Sequence, residues 1–262
     1  MITVLFISII CFILIHHLFY WETGYPGDTK NQPIQYFAHR GYKGSGCPEN
    51  SLEAFGEAIK NGFHWIEVDV LSTIDDVIVC THNYDLEAET NGVGDVNKKH
   101  YKSIHALNIG IYNNNKYRHG LPTLEDVLKL TRGKIGINIE IKAHKVFEFK
   151  TARALSRTLL KRPRAQMMIS SFNPFVILYF RIFHRNIMTA FLFESVGYYW
   201  FTHIIHPNFI HPRIDILNKK MIDDSNTHNF GINVWTADNY PCHKYLEKLD
   251  INGIITDMDL KS

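Results

Sequence analysis

Short apolar segments of strand length alternate with amphipathic, helix-like segments along most of the chain, and this rhythm limits the folds that are available. Apart from one segment that is predicted to pair as a hairpin, eight apolar runs occur, at residues 35–39, 65–70, 136–142, 167–172, 188–193, 209–211, 231–236 and 253–256. Strands that alternate with helices are typical of a parallel sheet. Eight such units predict an α/β fold of the (β/α)8 TIM-barrel type, and a length of 262 residues suits one such domain.

Two of the helix-like segments carry start signals, and one long segment interrupts the rhythm. Apolar residues at helical spacing follow Ser51, a suitable N-cap, and Asn61-Gly62 is a suitable stop. Thr123, with Asp126 three positions later, has the pattern of a capping box. The stretch at about 83–120 is rich in Asn and Gly, so we predict a small insertion there, between strand 2 and helix 2.

The N-terminal segment predicts a membrane anchor. No residue from Ile2 to Trp21 carries a formal charge, and roughly twenty helical residues at about 1.5 Å each cross a bilayer core of about 30 Å. Tyr20 and Trp21 suit the membrane interface. We therefore predict a single-pass transmembrane helix at 1–21 that attaches the protein to a membrane, a linker at 22–34 and a barrel domain at 35–262.

A cleaved signal peptide, followed by secretion, is the alternative for this segment. The segment lacks the basic start and the small-residue cleavage site of such a peptide. A lipoprotein signal ending at Cys11 would need a small residue before the cysteine, where Ile10 stands. No Lys or Arg precedes the segment, so the side of the membrane that would hold the barrel stays open.

Charge and cysteine content argue against two other classes of protein. The formal net charge is +2 and no domain-wide basic excess exists, which argues against a nucleic acid as partner. The four cysteines form no CxxC pair and no evident disulfide framework.

Carboxylates interrupt two of the apolar runs on one face only. Glu67 and Asp69 share a face of the second run, because alternate residues of a strand point the same way. Glu140 and Lys142 share a face of the run 136–142 in the same manner. A strand at an exposed edge gives the same alternation, so a half-solvated edge strand is the alternative interpretation of either run alone.

Two histidines extend this polar pattern. His39 and Arg40 lie where the first run ends, and barrels place catalytic groups at such carboxyl ends. We predict that Asp75-Asp76 forms a two-residue hairpin turn, which would set Asp69 opposite His82 at about 5 Å. Together these segments predict a metal site with flanking histidines.

Motifs spread over the chain resemble those of the glycerophosphodiester phosphodiesterases. From about residue 37 to residue 257 the shared motifs are, in order, AHRGY, PENSLEAF, IEVDV, IVCTHN, LPTLEDVL, INIEIK, SSFNP, VWTAD and GIITD. The resemblance implies a TIM barrel with an insertion after strand 2, in agreement with the strand–helix rhythm. It also implies an enzyme whose small-molecule substrate, a glycerophosphodiester, is hydrolysed to an alcohol and sn-glycerol 3-phosphate.

Transferred by position, the resemblance implies roles for the residues of the polar pattern. His39 and His82 would be the catalytic pair, and Glu67, Asp69 and Glu140 would be the metal ligands.

Four further residues would contact the substrate or support the metal site. Arg40 and Lys142 would contact the phosphate, and Trp235 would contact the glycerol or the alcohol part. Glu49 would line the metal site or orient its ligands.

The chain departs from the family pattern within the predicted insertion. The residue after His82 is commonly Asp in the family and is Asn83 here, and Ala88 stands where Arg is often found. Neither is one of the predicted metal or histidine positions. We therefore expect these changes to alter how the insertion packs and which alcohol is accepted.

The implied chemistry is metal-assisted hydrolysis with two histidines. Three carboxylates suit one divalent cation, Ca²⁺ or Mg²⁺, better than Zn²⁺. One histidine would remove a proton from the attacking hydroxyl and the other would protonate the departing alkoxide. The expected nucleophile is the substrate's own 2-hydroxyl, which gives a cyclic phosphate, and direct attack by water is the alternative.

Two alternative functions remain open. One is a membrane-associated lysophospholipase D that acts on lysophospholipids. The other is a non-catalytic barrel that binds such diesters or a partner protein.

Overall fold

A barrel of parallel strands forms the centre of the molecule. The computed structural model describes residues 2–23, 32–44, 46–111, 119–160 and 166–260. Its strands are β1 Gln35–Ala38, β2 Trp65–Ser72, β3 Ile78–Cys80, β4 Asn108–Ile109, β5 His119–Gly120, β6 Gly136–Ile141, β7 Met167–Ser171, β8 Met188–Phe193, β9 Phe209–Pro212, β10 Gly231–Val234 and β11 Gly253–Thr256. Eight of these, all except β3, β4 and β5, pair in parallel, and β1 closes the ring between β2 and β11. The predicted TIM barrel is confirmed.

Helices follow most of the barrel strands and pack on their outer faces, except for the first helix, which precedes β1, and the third, which belongs to the segment after β3. They are α1 Ile2–Phe19, α2 Leu52–Lys60, α3 Tyr101–Ile104, α4 Leu124–Thr131, α5 Lys150–Leu159, α6 Pro174–Phe183, α7 Thr202–Ile205, α8 Lys219–His228 and α9 Tyr240–Leu246, with 3-10 turns at Leu86–Ala88, Val96–Lys98, Val196–Phe201 and Ile214–Ile216. The predicted caps are confirmed. The Ser51 hydroxyl accepts a hydrogen bond from the Ala54 backbone N–H at 3.0 Å, and Thr123 and Asp126 form a capping box.

All eight predicted barrel strands are present. Each begins at the predicted residue, and their ends shift by at most two residues. The outward side chains of β2, such as Ile66 and Val68, are fully buried against the helices. Inside the barrel, Met168, Ala190 and Phe209 form an apolar cluster. Polar residues that point inward are therefore concentrated toward the carboxyl ends of the strands.

The hairpin after β2 pairs in a register one residue away from the predicted one. Thr81, and not His82, lies beside Asp69, and its backbone N–H donates to the Asp69 carbonyl oxygen at 3.1 Å. The turn is longer than two residues because Asp76 adopts a left-handed φ of 62°, as in hairpin loops that close with a bulge. The predicted two-residue turn is wrong, and His82 lies beyond the end of β3.

The segment between β3 and α4 builds a small core of its own outside the barrel. Its short strands β4 and β5 pair with each other. The apolar residues of this core, some of them from the hairpin and from the chain before α4, are Leu71, Val79, Leu86, Val96, Ile104, Ile109 and Leu121. Residues 112–118 of the predicted insertion lie outside the described residues.

The N-terminal helix does not meet the requirements for a membrane anchor. α1 contains 18 residues and carries His16 and His17 in its last turn. Within the described part of the chain, no helix is both long and apolar enough to cross a membrane. The predicted single-pass anchor at 1–21, and with it the membrane partner and the membrane location, is therefore wrong.

Trp21, predicted to lie at a membrane interface, packs on the barrel instead. Its side chain is 6% exposed and stacks between His206 and His228, with ring centroids 4.4 Å away on each side. Its carbonyl oxygen lies 2.8 Å from Nδ1 of His228. Because His228 shortly precedes β10, the end of α1 packs at the amino ends of the strands. Of the predicted linker at 22–34, residues 24–31 lie outside the described residues.

Candidate active site

Three carboxylates from β2 and β6 meet inside the barrel. Glu67, Asp69 and Glu140 are 2%, 1% and 6% exposed, and one ligand oxygen from each lies within 4.8 Å of the others. The register between the two strands sets Asp69 directly beside Glu140. The structure therefore brings together the three predicted metal ligands, which are 73 positions apart at most in the sequence.

Arg40 contacts this cluster from the loop that follows β1. Its φ of 54° is left-handed, a conformation that few residues other than glycine adopt. In this conformation its backbone N–H donates to Oε2 of Glu67 at 2.8 Å, and its Nε lies 3.1 Å from Oδ2 of Asp69. Gly41 is also left-handed, and a Cβ there would stand 2.7 Å from the Cβ of Ala54. The glycine of the motif is thus required by the shape of the loop.

Lys142 and Glu49 complete the ring of charges. Nζ of Lys142 lies 2.8 Å from Oδ1 of Asp69 and also pairs with Glu140. Glu49 accepts a hydrogen bond from the Arg40 guanidinium at 2.8 Å. Glu49 therefore orients the Arg40 guanidinium, which contacts Asp69.

Asn50 is a site residue that the sequence analysis missed. Its side-chain N–H donates to Oδ2 of Asp69 at 3.0 Å, and its side-chain oxygen accepts from the Asp69 backbone N–H at 3.1 Å. These two hydrogen bonds fix the orientation of the carboxylate. The signal that could have found it is its position directly after Glu49 in the PEN motif.

Burial and neighbouring charges shift the pKa values of the three carboxylates in different directions. Burial raises the pKa of Glu67 well above its usual value, and the neighbouring charges of Asp69 and Glu140 raise it further. Burial also raises the pKa of Glu140. Burial alone would raise the pKa of Asp69, but the ion pairs with Lys142 and Arg40 outweigh it and hold this pKa below its usual range.

The ligand set fits a hard divalent cation, which prefers oxygen ligands. All three candidate ligands are carboxylates, which Ca²⁺ and Mg²⁺ prefer. Oε1 of Glu67 is buried and has no hydrogen-bond partner among the described residues. Buried polar atoms normally have a partner, so this oxygen is suited to binding a cation or a water molecule.

His39 is oriented by a carboxylate. Its Nδ1 lies 3.1 Å from Oδ1 of Asp257, and Oδ2 of Asp257 lies 3.0 Å from Nζ of Lys43. Burial would raise the pKa of Asp257, but His39 and Lys43 together hold it below its usual value. The ionised carboxylate only accepts hydrogen bonds, so Nδ1 of His39 carries the proton and donates. Asp257 was part of the GIITD motif, but no role was predicted for it.

His82 is oriented by an amide. Its Nδ1 lies 3.2 Å from the side-chain oxygen of Asn83. Glu89 fixes the amide because its Oε1 accepts from the Asn83 side-chain N–H at 3.0 Å, while its Oε2 accepts from the Thr81 hydroxyl at 2.8 Å. Burial, followed by the positive charge of Lys142, lowers the pKa of His82. Sequence analysis missed Glu89, because no periodic pattern marks it in the irregular segment.

Trp235 directly follows β10 and contacts a residue that lines a large cavity. Its indole N–H donates to the carbonyl oxygen of His211 at 2.7 Å, and its ring meets Phe172 edge to face at 5.4 Å. Phe172 lines a cavity of about 970 Å³ whose wall also includes His82, Glu140 and Lys142. The cavity is therefore continuous with the candidate site.

The fold and the site together define a TIM-barrel protein. One end of its barrel holds a buried acidic cluster, two oriented histidines and the positively charged side chains of Arg40 and Lys142. A model of the glycerophosphoryl diester phosphodiesterase family matches residues 39–259. The chain belongs to this family, and the predicted enzyme class, a glycerophosphodiester phosphodiesterase, is confirmed with it.

Individual relatives agree with this assignment. Over 246 residues the chain is 30% identical to a putative glycerophosphodiester phosphodiesterase of Bacillus subtilis, YhdW, with 84% of this chain and 93% of the relative covered. It is 27% identical to a glycerophosphodiester phosphodiesterase of Caldanaerobacter subterraneus, with 84% and 92% covered.

Solved structures share the fold. A phosphodiesterase of Oleispira antarctica, solved with its product sn-glycerol-3-phosphate, has a TM-score of 0.77 at 22% identity, with 87% of this chain and 95% of that chain covered. A glycerophosphodiester phosphodiesterase of Parabacteroides distasonis has a TM-score of 0.74 at 23% identity, with 87% and 94% covered.

Proposed function

We propose that the protein hydrolyses glycerophosphodiesters to an alcohol and sn-glycerol 3-phosphate with the help of one divalent cation. One observation carries this proposal: a buried cluster of three carboxylates adjoins two histidines whose Nδ1 atoms are both engaged by neighbouring side chains. A pure binding protein has no need of two such oriented proton carriers. The product named for the Oleispira antarctica enzyme, sn-glycerol-3-phosphate, supports the same reaction.

The three carboxylates would hold Ca²⁺ or Mg²⁺. When bound, the cation would supply positive charge to the non-bridging oxygens of the phosphate. Arg40 and Lys142 bring two further positive charges to the same place. A guanidinium can contact two phosphate oxygens at once, so Arg40 is suited to orienting the phosphate and Lys142 to neutralising it.

His82 is the proposed general base. Its Nδ1–H is held by the amide oxygen of Asn83, so the lone pair lies on Nε2 in the neutral ring. Burial, then the nearby charge of Lys142, lowers its pKa, and this keeps the ring neutral. We infer that Nε2 takes the proton of the substrate's 2-hydroxyl as its oxygen bonds to phosphorus.

His39 is the proposed general acid. Its Nδ1–H donates to the ionised carboxylate of Asp257, and this contact fixes the orientation of the ring. Nε2–H would protonate the alkoxide as the bond between phosphorus and the alcohol oxygen breaks, leaving a cyclic phosphate. Water would then open the ring with the two histidines in exchanged roles.

Single histidine variants test this assignment. We expect His39→Ala and His82→Ala each to lower the turnover of glycerophosphocholine by about 10²- to 10⁴-fold, with circular dichroism unchanged. His105→Ala is the matched control, because this histidine lies in α3's C-terminal turn and is exposed. Near-native turnover by either catalytic variant would contradict the proposal.

A lysophospholipid is the alternative substrate class. The apolar part of the cavity beside Lys142 is the observation that favours it. Comparison of glycerophosphocholine with lysophosphatidylcholine distinguishes the two classes.

A further inference from the structure

The carboxylate of Asp257 has a second partner besides His39. Its Oδ1 lies 3.1 Å from Nδ1 of His39, and its Oδ2 lies 3.0 Å from Nζ of Lys43. The side chains of Lys43 and Asp257 are 31% and 32% exposed. An ion pair that is exposed to this extent contributes little to the stability of a fold. Loss of this pair should therefore leave the barrel folded, and its effect on His39 can be measured separately.

Backbone contacts fix the two segments that carry this ion pair. After β11, the backbone N–H of Asp257 donates to Oδ1 of Asp238 at 2.8 Å. After β1, the residue before Lys43 is Tyr42, whose backbone N–H donates to the carbonyl oxygen of Ala54 at 2.9 Å and whose side chain is buried. The main chain is thus held on both sides, and side-chain torsions are what can turn the Asp257 carboxylate away from His39. The contact with Lys43 restricts these torsions.

Lys43 also contacts the part of the site that is proposed to bind the phosphate. Its Nζ lies 3.6 Å from Oε2 of Glu49, and Oε1 of Glu49 accepts a hydrogen bond from the Arg40 guanidinium at 2.8 Å. An ammonium group has three N–H donors, so Nζ can hold both carboxylates at once. Charges of opposite sign therefore alternate along a chain of contacts from Arg40 through Glu49, Lys43 and Asp257 to His39.

We propose that Lys43 is a positioning residue, which acts through Asp257 to hold His39 in the orientation that protonates the departing alcohol. This role rests on the proposed function, in which His39 is the general acid. Because Lys43 holds Oδ2 of Asp257, Oδ1 stays on Nδ1 of His39, and the proton on Nε2 is the one available for transfer. As the bond between phosphorus and the alcohol oxygen breaks, its electron pair goes to that oxygen, which takes this proton.

Two substrates that differ in their leaving group test this role. Glycerophosphocholine releases an alkoxide that needs a proton, whereas glycerophospho-p-nitrophenol releases p-nitrophenolate, a weak base that leaves without one. In Lys43→Met we expect kcat/KM for choline release to fall by about 10- to 100-fold, as when a group that orients a functional one is removed. For p-nitrophenol release we expect a loss of less than about threefold, because acid catalysis contributes little there. Opening of the cyclic phosphate follows departure of the alcohol and does not enter kcat/KM.

Two further lysine variants separate positioning from other roles of the charge. Lys43→Arg keeps a positive charge with N–H donors and should restore most of the choline release. Lys60→Met is the matched control, because it removes a lysine–glutamate ion pair at the end of α2, where the lysine is 72% exposed. This control should leave both rates unchanged. Equal losses for the two substrates in Lys43→Met would show that Lys43 binds the substrate or supports the fold, and would overturn the inference.

A variant of the intermediate residue tests the route through which Lys43 acts. Asp257→Asn should show the same selective loss of choline release, and Lys43→Met added to it should cause little further loss, because residues that act through one contact are not additive. Losses that multiply would overturn the inference while the proposed function stands.

A readout without turnover separates this role from the reaction. If the wild type hydrolyses neither diester, the proposed function fails, and the imidazole ¹⁵N NMR signals of His39 at high pH decide whether Lys43 positions the ring. We expect the proton on Nδ1 in the wild type and a mixture of both tautomers in Lys43→Met. Identical spectra of the two proteins would overturn the inference.

Discussion

The side-chain amide of Asn83 donates a hydrogen bond to Oε1 of Glu89 at 3.0 Å, and this bond turns the amide oxygen toward Nδ1 of His82. The amide cannot rotate without placing its N–H groups against the imidazole. Asn83 stands where the family commonly has Asp, so the partner of Nδ1 of His82 is here a neutral amide, which Glu89 holds in place. The pair therefore sets which nitrogen of His82 carries the proton.

Loss of the Glu89 carboxylate is expected to impair turnover without unfolding the protein. Glu89→Ala frees the Asn83 amide, so we expect kcat to fall by about 10- to 100-fold, as is typical when a group that orients a functional ligand is removed. Glu89→Gln should retain more activity, because its amide oxygen can still accept from Asn83. Steady-state kinetics on glycerophosphocholine measure both. Glu125→Ala, which changes a 42% exposed glutamate on α4, is the control. A wild-type kcat in Glu89→Ala would contradict a positioning role.

The pH dependence of the reaction should report the environment of His82. Its pKa is lowered from 6.5 by burial first and then by Lys142, so the neutral base persists to lower pH than in a free imidazole. We expect the acidic limb of the profile of kcat/KM to have its midpoint below about 6.5. In Asn83→Asp a carboxylate faces the ring and favours the imidazolium, so the midpoint should rise by about one pH unit. An unchanged or lowered midpoint in this variant would contradict the assignment of His82 as the base.

Removal of the Lys142 charge should destabilise the protein when no divalent cation is present. Lys142→Met removes the ion pairs that Lys142 makes with the buried carboxylates of Asp69 and Glu140, and breaking a buried ion pair costs about 3–5 kcal/mol. Urea unfolding in EDTA measures the loss, and added Ca²⁺ or Mg²⁺ should restore part of it. Lys129→Met on the exposed face of α4 should change the free energy of unfolding by less than about 1 kcal/mol. Equal unfolding midpoints for the two variants would show that the ion pairs of Lys142 do not support the folded state.

Replacement of Gly41 by alanine should lower the free energy of unfolding. An alanine Cβ would lie 2.7 Å from the Cβ and 2.8 Å from the backbone carbon of Ala54, at a φ of +83°. Gly62 has a nearly equal φ of +81° and open space around it. Gly62→Ala therefore measures the cost of the left-handed backbone, about 1 kcal/mol, and Gly41→Ala adds the cost of the clash, about 1–3 kcal/mol. Urea unfolding compares the two, and an equal loss in both variants would rule out the clash.

The barrel could be predicted because strand and helix periods are local properties of the sequence. The alternation of Ile66, Val68 and Val70 with the acids marks both the strand and its inward face before any contact is known. The hairpin register was predicted wrongly because it depends on one backbone torsion, the left-handed φ of Asp76. Because the turn is one residue longer than predicted, the pairing of every later residue of β3 with β2 shifts by one position.

The site could be predicted in part for the same reason. Glu67, Asp69 and Glu140 lie on strands, so their convergence follows from the register of β2 and β6. Glu89 and Asp257 act through contacts between segments that are far apart or irregular, which no periodic pattern encodes.

The membrane anchor was predicted wrongly because the prediction counted formal charges alone. A count of formal charges includes neither the two histidines at the end of α1 nor the packing of Trp21.

The metal dependence of glycerophosphocholine hydrolysis tests the central claim most directly. The measurement is the initial rate of choline release by metal-stripped protein, titrated with Ca²⁺ and with Mg²⁺, for the wild type and for Glu67→Gln. We predict no release in EDTA, a saturable recovery with at least one of the two cations, and a recovery in Glu67→Gln that is at least tenfold weaker. Full activity of the wild type in EDTA, or an identical titration of Glu67→Gln, would contradict the claim that the three buried carboxylates hold a cation for the reaction.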